Sequence, residues 1–156
     1  MKFTIRSAEE ADFAAILDLI KALAQFEKAP EKVTNSVEQM ITEKEFFRCL
    51  VAVGEDEKII AVCLYYFAYY TWVGKSIYLD DLYVSEPYRK QGVASALLNK
   101  LFEIARNENC RRVRWQVLDW NENAIQFYKK CGAALDAEWL NCDFDRKGIE
   151  GFHLKA

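Results

Sequence analysis

The stretch Ile77-Tyr78-Leu79-Asp80-Asp81-Leu82-Tyr83-Val84, followed by Ser85-Glu86-Pro87-Tyr88-Arg89-Lys90-Gln91-Gly92-Val93-Ala94-Ser95, decides how this chain is read. The first eight residues are mostly apolar or aromatic and read as a strand, which Pro87 closes into a turn. Arg89-x-x-Gly92-x-Ala94 comes next. From Ser95 to Arg106 the residues Leu97, Leu98, Leu101, Phe102 and Ala105 recur at helical spacing. A strand that stops at a basic, Gly-containing turn and opens into a helix leaves the first helical N–H groups without intrahelical acceptors. That geometry suits an anion, above all a phosphate. Gly92 lets the backbone come close to a ligand, and Ala94 keeps the approach clear. Arg89 and Lys90 add charge. The N–H groups of Gln91, Gly92, Val93, Ala94 and Ser95 would cradle a pyrophosphate, helped by the helix dipole. The pattern alone describes equally well a plain strand-to-helix turn with a solvated basic face. It is not a nucleotide P-loop, because no G-K-[ST] follows, and it lacks the G-x-G-x-x-G of dinucleotide folds.

Working outward, Lys2–Arg6 alternates as a short strand, and Ser7-Ala8-Glu9-Glu10 has the pattern of a capping box. The helix it opens carries Ala11, Ile16, Leu19, Ile20, Leu23 and Ala24 and should end before Pro30. A second helix is expected over Val37–Lys44. Arg48–Gly54, Lys58–Tyr69 and Ser76–Val84 read as three strands joined by short turns, hence an antiparallel meander. Arg112–Leu118 is a further strand, and Glu122–Cys131 a helix stopped by Gly132. Ala137–Phe144 and Ile149–Lys155 read as a final hairpin around Arg146-Lys147-Gly148. The expected architecture is α/β: one domain over residues 1–156, with a mixed, mostly antiparallel sheet of about seven strands and about four flanking helices.

At 156 residues the chain can bury a full core, and 52% hydrophobic and 14% aromatic content argue against disorder. A net charge of -3 does not suit a nucleic-acid binder and fits a cationic substrate better. The five cysteines, Cys49, Cys63, Cys110, Cys131 and Cys142, are scattered, odd in number and without a C-x-x-C pair. They read as reduced, mostly buried thiols of a cytoplasmic protein. The N-terminus shows no long apolar signal region, and the most apolar run, Ile59–Tyr70, is too short to span a bilayer. Neither a membrane nor a nucleic acid is therefore expected as a partner. A metal site is not expected either, for want of histidine and paired cysteine. The lone His153 has no nucleophile to serve.

Two further features carry chemistry. Asp80 and Asp81 are adjacent carboxylates in an apolar strand, which is costly unless at least one has a partner or a task. Strand alternation would send them to opposite faces. Asn121-x-x-Ala124-x-x-x-Tyr128-x-x-x-Gly132-Ala133 starts with a good N-cap and places Ala124 and Tyr128 on one helix face, where Tyr128 could equally be core packing.

Taken together, these motifs make the chain resemble the GNAT N-acetyltransferase superfamily. Arg89-x-x-Gly92-x-Ala94 matches its acetyl-CoA pyrophosphate loop, and Asn121-x-x-Ala124-x-x-x-Tyr128 its later helix. More closely, the chain is similar to the diamine (spermidine/spermine) and thialysine N-acetyltransferase subfamily. The shared strings include Phe3-x-Ile5-Arg6, Phe26-Glu27, Tyr65-Tyr66-Phe67, Trp72-x-Gly74-Lys75, Tyr78-Leu79-x-Asp81, Trp120-Asn121-Glu122 and Phe127-Tyr128-Lys129.

The resemblance implies direct acetyl transfer from acetyl-CoA, as co-substrate, to a primary amine. An alkyl ammonium has a pKa of roughly 10.4, so only about one part in 2,500 is free amine at pH 7 and the site must remove a proton. Asp80 stands where the subfamily has a Glu proposed as base through water; being one methylene shorter, it needs the water bridge more, or the role moves to a neighbour. Tyr128 would protonate the departing thiolate. A backbone N–H near Leu82, where the strand bulges or splays, would polarise the thioester oxygen. The Leu82 and Val84 backbones would pair with pantetheine like an added strand, with Asn121 and Lys130 assisting CoA binding. For the amine, the resemblance implies Glu27 at a distal ammonium, Trp72 nearby, and Tyr70, Asp80 and Asp81 in the substrate region. Tyr70 replaces an Asp of the polyamine enzymes and Asp80 replaces Glu, which weakens the case for spermidine and leaves thialysine, lysine-like amines or short diamines open. The alternatives are a protein or peptide N-acetyltransferase and a non-catalytic CoA-binding sensor. The subfamily resemblance also implies a homodimer with C-terminal elements exchanged or packed together.

Overall fold

The computed structural model describes residues 1–154, within which five strands form one sheet in the order β1-β2-β3-β4-β5. These are β1 (Phe3–Ser7), β2 (Arg48–Gly54), β3 (Ile59–Tyr70), β4 (Gly74–Val84) and β5 (Val113–Arg114). The first four pair antiparallel, so the expected meander is present, and β5 joins β4 in parallel. The helices are α1 (Phe13–Phe26), α2 (Val37–Thr42), α3 (Val93–Asn107), α4 (Glu122–Lys130) and α5 (Arg146–Gly151). The chain falls into two compact units, Met1–Gln116 and the chain from Val117 onward.

In the first unit β2 is buried along nearly its whole length. Its odd residues Cys49, Val51 and Val53 join Val62 and Leu64 of β3 in a cluster closed by Phe13, Ile16 and Leu17 of α1 and Met40 of α2. Leu50 and Ala52 alternate onto the opposite face. Helix α3 lies against β2, β3 and β4, and its buried Val93, Leu97, Leu98 and Leu101 stand outside that cluster. Each fully buried aliphatic side chain contributes about 1.5–3 kcal/mol, so these two layers hold the sheet rigid. Phe102, expected on the apolar face of α3, is 37% exposed and meets the edge of Trp115.

Several expectations are corrected. The sheet has five strands rather than about seven, and there are five α-helices rather than about four, among the described residues. The capping box sits two residues later than expected. Ser7 is still strand, and the Glu9 N–H donates to the Asp12 carboxylate (2.7 Å), which Arg6 also clamps. Helix α2 stops at Thr42 and a 3-10 turn takes over at Lys44. The strand expected over Arg112–Leu118 pairs only at Val113 and Arg114.

The final hairpin is absent among the described residues. Asp145 caps a short helix by accepting the Gly148 N–H (2.7 Å), Arg146 pairs with Glu150 one turn on, and Phe144 meets Phe152 edge to face. Local capping thus wins over strand propensity. Lys155, the expected end of that hairpin, lies outside the described residues. The cysteines are all free, but only Cys49 and Cys63 are buried; Cys131 and Cys142 are exposed.

Candidate functional site

The site grows from an irregularity in β4. Its register against β3 runs Leu64↔Asp81 and then Tyr65↔Leu79, so Asp80 is an extra residue with no partner opposite. This is a β-bulge, and it resets the strand's alternation. The effect can be read in the backbone. Before the bulge, the Ile77 N–H donates to the Arg112 carbonyl on the β5 side (2.9 Å); after it, the Ser85 N–H donates to Ile60 on the β3 side (2.9 Å). In an unbroken strand those two odd-numbered residues would face the same way. The bulge therefore turns Leu82 and Val84 outward, beyond the last β5 pairing at Tyr78, where no strand of the sheet meets them. The Val84 carbonyl is taken by the Arg89 Nε–H (3.0 Å). The outward backbone groups of Leu82 and the Val84 N–H have no strand partner among the described residues.

The same bulge brings the two carboxylates together. The expectation that Asp80 and Asp81 face opposite sides of the sheet is not met: both line one cavity of about 360 Å³, with Leu17, Met40, Leu64 and Tyr66. A smaller cavity of about 200 Å³ adjoins it, lined by Glu27, Leu23, Ala24 and Ala29. Ile20, Lys32, Val33 and Asp81 belong to both.

Burial, with Asp80 and Glu27 nearby, lifts the Asp81 carboxyl to about 7. Asp81 has no side-chain hydrogen bond or ion pair among the described residues. Burial also raises Glu27 and Asp80. Asp80 nevertheless keeps an exposed surface where it lines the larger cavity. Tyr66 and Tyr78 stack at 5.2 Å, and burial with the Asp80 charge pushes Tyr78 to about 12, so it stays protonated.

The turn after β4 has the shape its sequence implies. Gly92 is the N-cap of α3 at φ +83°, a left-handed conformation that favours glycine, and Lys90 is also left-handed at φ +60°. No side chain caps the helix, and the first intrahelical bond is from the Ala96 N–H to the Gly92 carbonyl (3.0 Å). The N–H groups of Val93, Ala94 and Ser95 thus lack intrahelical acceptors, a cradle matched to a pyrophosphate. Arg89 is held by Val84 and by the rings of Phe26 (5.5 Å) and Tyr83 (5.4 Å), and the Gln91 side chain donates to the Pro87 carbonyl (3.0 Å). These two side chains brace the loop.

Tyr70 and Trp72 are not among the residues that line the two cavities. Tyr70 lies beneath the guanidinium groups of Arg112 and Arg114, each 5.1 Å from its ring. Trp72 is 85% exposed at the turn between β3 and β4. In the second unit, Asn121 caps α4 by accepting the Ala124 N–H (3.3 Å). Tyr128 is half-buried on α4 beside Phe127, and Lys130 is exposed at its end. Bonds from Gly132 to Lys129 and from Ala133 to Tyr128 close that helix in a Schellman motif, with Gly132 at φ +89°. Among the described residues no group of histidine, cysteine and carboxylates could hold a metal, and no helix is long and apolar enough to cross a membrane.

Lys32 is one of the polar lining residues, with Thr34 and Asn35, that motif reading passed over. Its only signal was position, in Pro30-Glu31-Lys32 just after Glu27.

Known proteins share this architecture. The family model described as Acetyltransferase (GNAT) family matches residues 13–133. A thialysine N-epsilon-acetyltransferase of Mus musculus is 39% identical over 159 residues, covering 93% of this chain and 94% of that protein. The spermidine/spermine N(1)-acetyltransferase-like protein 1 of Homo sapiens is 31% identical, over 97% of this chain but only 22% of its own length. Among solved structures, a possible acetyltransferase from Clostridium difficile superposes with a TM-score of 0.77 at 21% identity, over 94% of this chain and all of that one. Its low identity speaks to the fold alone. On the family match and the identity to its relatives, this chain belongs to the acetyltransferase (GNAT) family of enzymes.

Proposed function

We propose that the chain is an acetyl-CoA-dependent N-acetyltransferase, acting as a single domain on the primary amine of a small cationic substrate: a diamine, a polyamine or a thialysine-like or lysine-like amine. The observation that carries this reading is the β4 bulge, which sets two carboxylates on one cavity and turns the next backbone groups to a free edge leading to the Gly92 turn. The relatives named for thialysine and for spermidine/spermine support an amine acceptor.

Each residue has a task in this reading. Val93, Ala94 and Ser95 hold the pyrophosphate through their N–H groups, on a loop braced by Arg89 and Gln91. Leu82 and the Val84 N–H pair with the pantetheine arm. Bound acetyl-CoA supplies a thioester whose C–S bond breaks as the amine nitrogen bonds to the carbonyl carbon. The Leu82 N–H donates to the carbonyl oxygen as negative charge gathers there. Asp81 takes the ammonium proton: at about 7 rather than 3.8, it is a stronger base by about three pK units than an ordinary aspartate. Asp80, exposed beside it, relays through water, and Glu27 holds the distal ammonium. Tyr128 returns a proton to the thiolate, a role that rests on the family motif.

A thiol-release assay with a panel of diamines, polyamines, diamino acids and peptides tests this. Release with small amines and not with peptides is expected. Release only with peptides, or tight acetyl-CoA binding without release, contradicts it. We also propose a homodimer, on the subfamily resemblance and on exposed Trp139 (73%), Leu140 (89%) and Phe144 (63%). A monomer in sizing chromatography at micromolar concentration contradicts that.

A further inference from the structure

The end of α1 serves two neighbours at once. Its last turn closes in a Schellman motif. Lys28 is left-handed at φ +60°, its N–H donates to the Gln25 carbonyl (3.1 Å), and the Ala29 N–H donates to the Ala24 carbonyl (2.9 Å). From this closed turn Ala24, Glu27 and Ala29 line the smaller cavity, which Asp81 also lines. Phe26, the last residue of α1, meets the turn before α3 instead: the Arg89 guanidinium carbon lies 5.5 Å from the centre of its ring. The same guanidinium is 5.4 Å from the Tyr83 ring, and its Nε–H donates to the Val84 carbonyl (3.0 Å). Two rings and one carbonyl thus hold Arg89, with no ion pair to a carboxylate among the described residues. Phe26 is 44% exposed and stands outside the core cluster beneath α1. Burial gives this side chain little reason to be aromatic; the cation over its face does.

Resting on the reading above, we propose that Phe26 is a positioning residue: its ring holds Arg89, and through Arg89 it keys the acetyl-CoA loop to the α1 wall of the acceptor cavity. Loss of the ring frees Arg89 on one side. The turn from Glu86 to Gly92 is then less well held, and the N–H cradle beyond it must be ordered when acetyl-CoA binds, at a cost to affinity. The same loss frees the Phe26-Glu27 turn from the loop, so the amine meets a less settled Glu27. One side chain, outside both the cradle and the cavity lining, therefore tunes both ligands.

The test is a double-mutant cycle on acetyl-CoA affinity, read by calorimetry, with Phe26→Leu and Arg89→Gln. Leucine keeps the apolar bulk and removes the ring face. Phe26→Leu should weaken acetyl-CoA by about three-fold, the size of a cation–π contact at a partly exposed ring, while Phe26→Tyr stays at the wild-type value. In the Arg89→Gln background the same leucine should change affinity by less than about 1.5-fold. In the ligand-free protein the Tyr88 and Arg89 amides, bonded to Ser85 and Glu86, should exchange hydrogen faster in Phe26→Leu than in wild type. At saturating acetyl-CoA, Phe26→Leu should raise the amine KM by about three-fold and leave kcat within about two-fold. Equal weakening in both Arg89 backgrounds, no weakening in either, unchanged amide exchange or an unchanged amine KM overturns the role of Phe26 and leaves the acetyltransferase reading standing. A wild-type protein that binds no acetyl-CoA overturns both.

Discussion

The two halves of β4 do different work. At Ile77 and Tyr78 the strand is flanked by β3 and β5, and Ser76, Ile77 and Leu79 around them are buried. From Leu82 to Val84 it pairs only with β3, and every residue is partly exposed. One unpaired residue, Asp80, separates them. The paired half is ordinary sheet, where side-chain burial sets stability. The open half has lost a neighbour and keeps outward backbone groups, at the place where a carboxylate, a free edge and a helix N-terminus follow within a dozen residues. A fold can thus build a binding edge from a standard strand by adding one residue and ending the neighbour early.

That division can be broken by substitution. The largest effect on stability is expected in the paired half. Ile77 is fully buried, and Ile77→Ala should cost about 2–5 kcal/mol in urea unfolding. Its acetyl-CoA affinity at 25 °C should stay within about two-fold of wild type; a ten-fold change would mean that the halves are not separable. Next in size is Gly92→Val, beyond the open half. A β-branched residue is strained at φ +83°, so the N–H cradle shifts and acetyl-CoA should bind about ten-fold or more weaker by calorimetry. A Cβ at this position meets no atom within 4 Å, so the stability cost should be smaller than for Ile77→Ala. Unchanged affinity would remove the loop from the binding site.

A subtler effect concerns pH and stability. Folding raises the Asp81 pKa from about 3.9 to about 7, so the native state holds that proton more tightly than the unfolded chain. Native stability therefore falls as pH rises from about 4 to about 7, where the buried carboxyl must ionise. Asp81→Asn removes this loss. Its Tm should exceed wild type at pH 8, by about 2–4 °C for each kcal/mol recovered. The advantage should vanish below about pH 4. A variant less stable than wild type at pH 8 would show that the charge has a partner in solution.

Much of this was legible in the residues. The meander followed from three β-rich runs with short turns, and the Gly92 turn from Pro87, Gly92 and the helical repeat after it. Asp80 and Asp81 stood out because carboxylates are costly in an apolar strand. Their placement was not legible: alternation holds for a regular strand, and nothing in Leu79-Asp80-Asp81-Leu82 states that one residue is extra. Bulges are settled by the partner strand and by packing on both faces. Lys32 was missed because a lysine in a short 3-10 turn gives no pattern, and only the fold brings it to the cavities that Asp81 also lines. The helix over Glu122–Lys130 and its stop at Gly132 were legible, but the hairpin after it was misread because Ala137–Phe144 has strand-like residues, while Asp145 and Gly148 make a local cap that competes with any distant pairing.

The pH dependence of kcat/KM, measured with one acetylated amine for wild type and Asp81→Asn, tests the central claim that the bulge sets Asp81 up as the base. The account predicts that wild-type kcat/KM rises with pH to a break near 7, and that Asp81→Asn loses that limb and falls by about a hundred-fold or more at pH 8. An Asp81→Asn enzyme that keeps the same break and a rate within two-fold of wild type would contradict it.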